Sequence, residues 1–234
     1  MDIKYKVVEI FDSIEGEGKR AGATASFIRL AGCNLRCTYC DTEYALAPDD
    51  FQIMNIDGIL ARLEQRRLFR VTLTGGEPLI AENIECLVHR LLSAGYEVNI
   101  ETNGSVDISD MLNYLESSKV EHRGKLFFTM DYKLPSSGVT DKMLMDNFRR
   151  LRPWDVLKFV VGGRTDAERM IEFLTSMNYC NGGTASPLVY IGAVYGGYGL
   201  QDLAATILDT PVLKDARLQL QFHKIIWDPE QRGV

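Results

Sequence analysis

Three of the chain's five cysteines, Cys33, Cys37 and Cys40, fall within eight residues, spaced C-x3-C-x2-C. Thiolates that close, on a loop opened by Gly32, can converge on one soft metal centre. Their number is informative. A structural zinc site closes itself with four ligands, whereas three protein ligands leave a position open for chemistry. An iron–sulfur cube held by three cysteines likewise has one iron free. His89, His122 and His223 are all distant in sequence, so none is at hand to complete a zinc site. Cys86 and Cys180 lie far from the cluster in helical segments and read as core or incidental thiols.

Other polar residues stand where they need a reason. Arg29 lies inside the apolar or small-residue run Thr24–Leu30. An unpaired charge on a buried strand is costly, so Arg29 requires either an anionic substrate group or a neighbouring carboxylate. Asp12-Ser13-Ile14-Glu15-Gly16-Glu17-Gly18 combines glycines with carboxylates. It reads as a surface turn, or as a backbone edge facing a small polar ligand. In Gly75-Gly76-Glu77-Pro78 the glycines let a ligand approach the backbone closely.

Elements must carry these groups. Strands are expected at residues 7–11, 24–30, 71–74, 97–101, 125–130, 155–161 and 188–194, the last clear one. Helices are expected at 56–63, capped by Asn55 or Asp57, and at 81–94, with Pro78 in its first turn and Gly95 as its stop. Further helices are expected at 109–117, 141–150 and 166–177, while 43–55 reads as loop. Strand–loop–helix alternation predicts an α/β fold of parallel βα units without a clean domain boundary. The polar and glycine-rich stretches follow strands, and in a parallel barrel those strand ends share one rim.

Bulk properties exclude several classes. The 234 residues are 46% hydrophobic and 25% charged, ordinary for a globular chain able to bury a core. A net charge of −6 argues against a nucleic-acid partner. No apolar run approaches the roughly 20 residues that span a bilayer, so no membrane association is expected. The N-terminus lacks the apolar segment of a signal peptide. An odd, clustered cysteine set is not a disulfide framework, which points to a reducing, cytoplasmic compartment.

The cysteine pattern, with Tyr39 before its last member, resembles the signature of radical S-adenosylmethionine (SAM) enzymes, and Gly75-Gly76-Glu77-Pro78 resembles their second motif. Within that superfamily the chain is similar to the 7-carboxy-7-deazaguanine synthase family. The resemblance runs nearly end to end through Ser13 to Gly18, Phe27 to Cys37 and Cys40-Asp41-Thr42. It continues through Glu101-Thr102-Asn103-Gly104, Lys133-Leu134-Pro135-Ser136-Ser137, Gln221-Phe222-His223-Lys224 and Arg232-Gly233-Val234.

That resemblance implies a single radical SAM domain over residues 1–234, a partial, modified (βα) barrel of parallel strands with its cluster loop at 32–42. It implies a lyase reaction of queuosine-type 7-deazapurine biosynthesis. A [4Fe–4S] cluster cleaves SAM, a hydrogen is taken from C6 of 6-carboxy-5,6,7,8-tetrahydropterin, the ring contracts, and ammonia leaves to give 7-carboxy-7-deazaguanine. Mg²⁺ is required. By resemblance Cys33, Cys37 and Cys40 hold the cluster and Thr42 the magnesium. Ile14, Glu15, Gly16, Arg29, Thr74 and Val234 meet the substrate. Tyr39, Gly76, Glu101, Asp131, Tyr132 and Lys133 meet SAM. An electron donor such as flavodoxin and a homodimer complete the expectation.

The chain departs from the family at Glu15, where relatives commonly have Gln, at Asp131-Tyr132, where many have Ser-Pro, and at Gly192-Ala193, where a Gln-Pro pair is common. Two other readings stay open on the cysteines alone: a radical SAM activase that makes a glycyl radical on a partner protein, and a non-catalytic metal-binding module.

Overall fold

The strands alternate strictly, and the alternation assigns two faces to the sheet. Val71 and Leu73, Val98 and Ile100, Phe128 and Met130, Leu157 and Phe159, and Val189 and Ile191 are buried in one continuous core. The residues between them include Thr72, Thr74, Asn99, Glu101, Thr129, Asp131 and Lys158. Side chains two apart share a face, so one side of the sheet is apolar and the other polar.

The computed structural model of the chain describes residues 3–119, 125–179 and 186–234. Cys180 and His122 lie outside the described residues. The strands are β1 (Lys4–Ile14), β2 (Thr24–Leu30), β3 (Gln52–Asn55), β4 (Arg70–Gly75), β5 (Glu97–Thr102), β6 (Leu126–Asp131), β7 (Val156–Val161), β8 (Leu188–Ala193) and β9 (Arg217–Leu218). They form one sheet in the order β3-β1-β2-β4-β5-β6-β7-β8-β9. From β2 through β9 every pairing is parallel and follows chain order. β3 and β9 are the two free edges, so the barrel is partial. The helices are α1 (Ile56–Glu64), α2 (Ile84–Ser93), α3 (Ser109–Ser117), α4 (Met145–Arg149), α5 (Arg164–Met177), α6 (Leu200–Asp209) and α7 (His223–Ile226). Leu87, Val88 and Leu91 of α2, Met111 and Leu115 of α3, and Met170, Phe173 and Leu174 of α5 cover the apolar face.

Several local expectations change. β1 is antiparallel to β2, because the connection through residues 15–23 is too short for a crossover, and β3 pairs antiparallel with its other edge. β3 occupies part of the expected loop; it is a short edge strand with Ile53 exposed, so its burial pattern carries no period. Pro78 opens a 3₁₀ turn, Pro78–Ile80, and α2 starts only at Ile84. The expected helix over 141–150 is a 3₁₀ turn, Thr140–Lys142, followed by the single turn of α4. Asn55 is the N-cap of α1, accepting from the Gly58 amide at 2.9 Å. No helix among the described residues is long and apolar enough to cross a membrane.

Candidate active site

The polar face of the sheet encloses a cavity of about 490 Å³. Its mouth is built from the loops that follow β2, β4, β5 and β6, as the parallel strand order requires.

The cysteine loop is clamped against the glycine turn. The Gly32 amide donates to the Ala45 carbonyl at 2.8 Å, and Glu77 N donates to the Gly32 carbonyl at 2.8 Å. A Cβ on Gly76 would stand 2.2 Å from the Gly32 carbonyl oxygen and 2.7 Å from Cys33 Cβ. Gly75, at φ 148°, leaves its missing Cβ 2.2 Å from the Leu30 carbonyl oxygen. Gly76 is therefore required by the approach of the cysteine loop, and Gly75 by its positive φ and the close approach of Leu30 at the end of β2.

Glu77 is 1% exposed and ties three loops together. Its carboxylate accepts from Leu79 N at 3.0 Å, Thr102 Oγ1 at 2.9 Å and Asn103 N at 2.6 Å. Burial pushes its carboxyl up to about 7 against the pull of those donors. Asn103 extends the tie, donating through Nδ2 to Asn34 Oδ1 at 3.1 Å and to Cys33 Sγ at 3.8 Å.

Cys33, Cys37 and Cys40 are free thiols that all reach the cavity wall. Burial raises the Cys37 and Cys40 thiols, and the Lys133 ammonium pulls both back down. The Leu35 amide donates to Cys33 Sγ at 3.4 Å. Among the described residues no three His, Cys, Asp or Glu side chains gather into a site for one metal ion. A cube instead takes each thiolate on a different iron. Thr42 Oγ1 donates to Asp41 Oδ1 at 2.9 Å, which leaves the hydroxyl oxygen's lone pairs for a hard cation.

Acid–base pairs line the rest of the wall. Lys133 Nζ donates to Asp131 Oδ2 at 2.8 Å, and both side chains are 14% exposed. Lys158 Nζ donates to Glu17 Oε2 at 2.7 Å. Burial opposes the charge on Lys158, but Glu17, Asp131 and Glu101 outweigh it and hold the ammonium well above the ordinary lysine range. Thr74 Oγ1 donates to Glu101 Oε2 at 2.8 Å, and burial with the nearby Glu15 carboxylate pushes Glu101 up to about 7. Arg29 Nε donates to Glu9 Oε1 at 2.7 Å, and the same oxygen accepts from the Tyr44 hydroxyl at 2.9 Å. Glu9 takes the Nε side of the guanidinium, so its terminal nitrogens are the part available to the cavity.

Of the residues expected in the site, Ile14, Glu15, Gly16, Arg29, Thr42, Thr74 and Val234 line this one cavity, as do Tyr39, Gly76, Glu101, Asp131 and Lys133. Tyr132 is a correction. Asp131 faces the cavity, so the next side chain leaves β6 toward the opposite face. The ring of Tyr132 is 2% exposed and packs 4.1 Å from Phe173 and 5.2 Å from Phe148, centroid to centroid. Thr129, Lys158 and Gln219, which form the cavity wall or its support, had no role in the expectation, and Glu17 entered it only as part of the 12–18 loop. The Gln219 side chain bonds to Gly18 N at 3.0 Å and Glu17 Oε1 at 3.1 Å. The signal for Thr129 and Lys158 was present as single polar residues alternating with apolar ones in β6 and β7. Gln219 is brought in only by the fold.

Two cavity-lining groups, Asp131 Oδ1 and the Tyr39 hydroxyl, are buried without a hydrogen-bond partner among the described residues. Buried polar atoms are normally paired, so these fit a polar ligand lying between them. With three soft thiol donors beside them, the residues present suit a cluster and a SAM molecule.

The comparisons with known proteins agree. The radical SAM superfamily model matches residues 27–122. A 7-carboxy-7-deazaguanine synthase of Clostridium acetobutylicum is 40% identical over 99% of this chain and 100% of its own. The synthase of Leptospira interrogans is 32% identical over 100% of this chain and 99% of its own. The crystal structure of QueE from Escherichia coli, 22% identical, shares the fold with a TM-score of 0.70 over 93% of this chain and 94% of that one. Streptococcus suis SuiB bound to S-adenosylmethionine matches with a TM-score of 0.53 at 18% identity, over 80% of this chain and 47% of its own. Near-complete coverage at this identity places the cavity and its loops in a known lineage: the chain belongs to the 7-carboxy-7-deazaguanine synthase family of the radical SAM superfamily.

Proposed function

We propose that the chain converts 6-carboxy-5,6,7,8-tetrahydropterin to 7-carboxy-7-deazaguanine with loss of ammonia, as one radical SAM domain. The observation that carries the reading is the single cavity that gathers three free thiols, Thr42, Arg29 and two orphaned polar groups. When bound, the reduced [4Fe–4S] cluster and SAM supply one-electron chemistry that removes a hydrogen atom from the substrate.

The chain's own residues place the reactants and exclude water. Cys33, Cys37 and Cys40 hold the cluster. Asp131, Lys133, Tyr39, Gly76 and Glu101 receive SAM, with the Asp131–Lys133 pair offering one acceptor and one cation to its polar end. The backbone beside Tyr132 can contribute there, but its ring does not. Arg29 presents its terminal nitrogens to the substrate carboxylate, a pairing suited to a planar fork. Thr42 would hold Mg²⁺ through its hydroxyl oxygen, and the ion would supply positive charge beside the substrate carboxylate. Ile14, Glu15, Gly16, Thr74 and the terminal carboxylate of Val234 complete the substrate wall.

The enzyme works in the cytoplasm with a flavodoxin-like electron donor and as a homodimer. Exposed Leu218, Leu220, Phe222, Ile225 and Ile226 run along and beyond the β9 edge, which supports association there. Anaerobic reconstitution tests the assignment by class. Uptake of zinc without an EPR-active cluster would refute the enzyme reading. SAM cleavage that leaves the carboxy-tetrahydropterin untouched would leave an activase in its place.

A further inference from the structure

The chain between β1 and β2 turns back beneath the cavity and forms its floor. Its 3₁₀ turn, Gly18–Arg20, delivers Arg20 under Glu15. Arg20 Nη2 lies 2.7 Å from Glu15 Oε1, 2.7 Å from Thr72 Oγ1 and 3.1 Å from the Val71 carbonyl. The Thr72 hydroxyl donates in turn to the same Glu15 oxygen. Phe127 backs the guanidinium, with its ring centroid 5.1 Å from Arg20 Cζ. The side chains of Arg20 and Glu15 are 8% and 2% exposed.

This arrangement is asymmetric. Both donors converge on Oε1, and no described residue directs a donor at Oε2, although Glu15 lines the cavity. Two more carboxylates, Glu17 and Glu101, act on Glu15 from the neighbouring wall. Burial raises the Glu15 carboxyl above its ordinary value, and the Arg20 cation and the Thr72 hydroxyl pull it back down. Without Arg20 that counterweight is lost, and the carboxyl would take up a proton and become a donor.

We propose that Arg20 is a positioning residue that fixes Glu15 as an ionised acceptor, with Oε2 turned to the nitrogen-bearing edge of the substrate. The proposal rests on the function inferred above. Pterins and deazaguanines carry an amino group and a ring N–H side by side on that edge. A fixed carboxylate matches two adjacent donors, whereas a protonated or rotated one does not.

The test measures binding of 7-carboxy-7-deazaguanine to the cluster- and SAM-loaded enzyme by anaerobic titration calorimetry, alongside KM and kcat for the carboxy-tetrahydropterin. Arg20→Met should raise both Kd and KM by about tenfold or more while kcat stays within about twofold, the pattern of a lost binding interaction. Arg20→Lys, which keeps a cation there, should stay within about threefold of wild type. Should Arg20→Met fail to fold, the uncharged pair Glu15→Gln/Arg20→Met should fold with the wild-type melting temperature and bind about fivefold more weakly. Unchanged Kd and KM in soluble Arg20→Met, a fall in kcat alone, or wild-type binding by the double variant would overturn the proposal. Wild-type protein that neither binds the product nor turns over substrate would remove the functional reading as well, which separates the two failures.

Discussion

Arg29 shows how far a single residue constrains the site. A guanidinium on a mostly apolar strand needs a partner, and both candidates, a carboxylate and a ligand anion, have a place. Glu9 takes Nε at 2.7 Å and the fork remains for the cavity. Arg29→Lys should therefore raise the substrate KM by about tenfold or more with the cluster spectrum unchanged, because an ammonium cannot form the paired contact. An unchanged KM would take Arg29 out of the site. Thr42→Ala should weaken the magnesium dependence of turnover and spare the cluster; loss of the cluster itself would assign Thr42 a structural role. Glu77 gives a pH signature. Its carboxyl is pushed up to about 7 from an ordinary 4.5, so the folded protein retains a proton that the unfolded chain releases. Its contribution to stability is greatest at acidic pH and is lost as pH rises through 7. Denaturant midpoints measured from pH 5.5 to 8.5 should fall with a slope that Glu77→Gln flattens; an equal slope in the variant would contradict the assignment.

At the scale of elements, the cysteine loop and the glycine turn behave as one unit. Gly76→Ala places a methyl group 2.2 Å from the Gly32 carbonyl oxygen, a contact that no rotamer relieves. The variant should bind substoichiometric iron after reconstitution, and wild-type iron content would show that the loops can part. The central strands, α3 and the Asn55 cap were legible in the sequence because their apolar periods are clean. Pro78 misled because a 3₁₀ turn and a first α-turn accept proline equally well. The antiparallel β1 and the edge strand β3 were hidden for a related reason: strand direction and edge pairing leave little trace in a short run. Tyr132 was expected in the site because its position matches a SAM contact of the family it resembles. The period of two along β6 already turned its ring away.

The whole molecule places its chemistry on one face of an open sheet. Its final segment crosses back over that face. Phe222 N donates to the Gly16 carbonyl at 3.2 Å, and a Cβ on Gly16 would stand 2.4 Å from His223 Nδ1. Lys224 Nζ lies 3.4 Å from Asp41, and Val234 reaches the cavity wall. The contacts to Gly16 and Asp41 join residues about 180 to 210 positions apart in sequence, a separation for which no local pattern exists. That is why the family's motifs were readable singly while the closure of the cavity by the final segment was not. If the proposed homodimer forms, sedimentation equilibrium should return twice the 26.3 kDa chain mass, and a monomer at micromolar concentration would contradict that proposal. Anaerobic turnover with reconstituted cluster, SAM, Mg²⁺ and dithionite, followed by mass spectrometry of the products, decides whether the chain is a synthase. The expected product is 7-carboxy-7-deazaguanine formed from 6-carboxy-5,6,7,8-tetrahydropterin. SAM cleavage with the pterin recovered intact would contradict it.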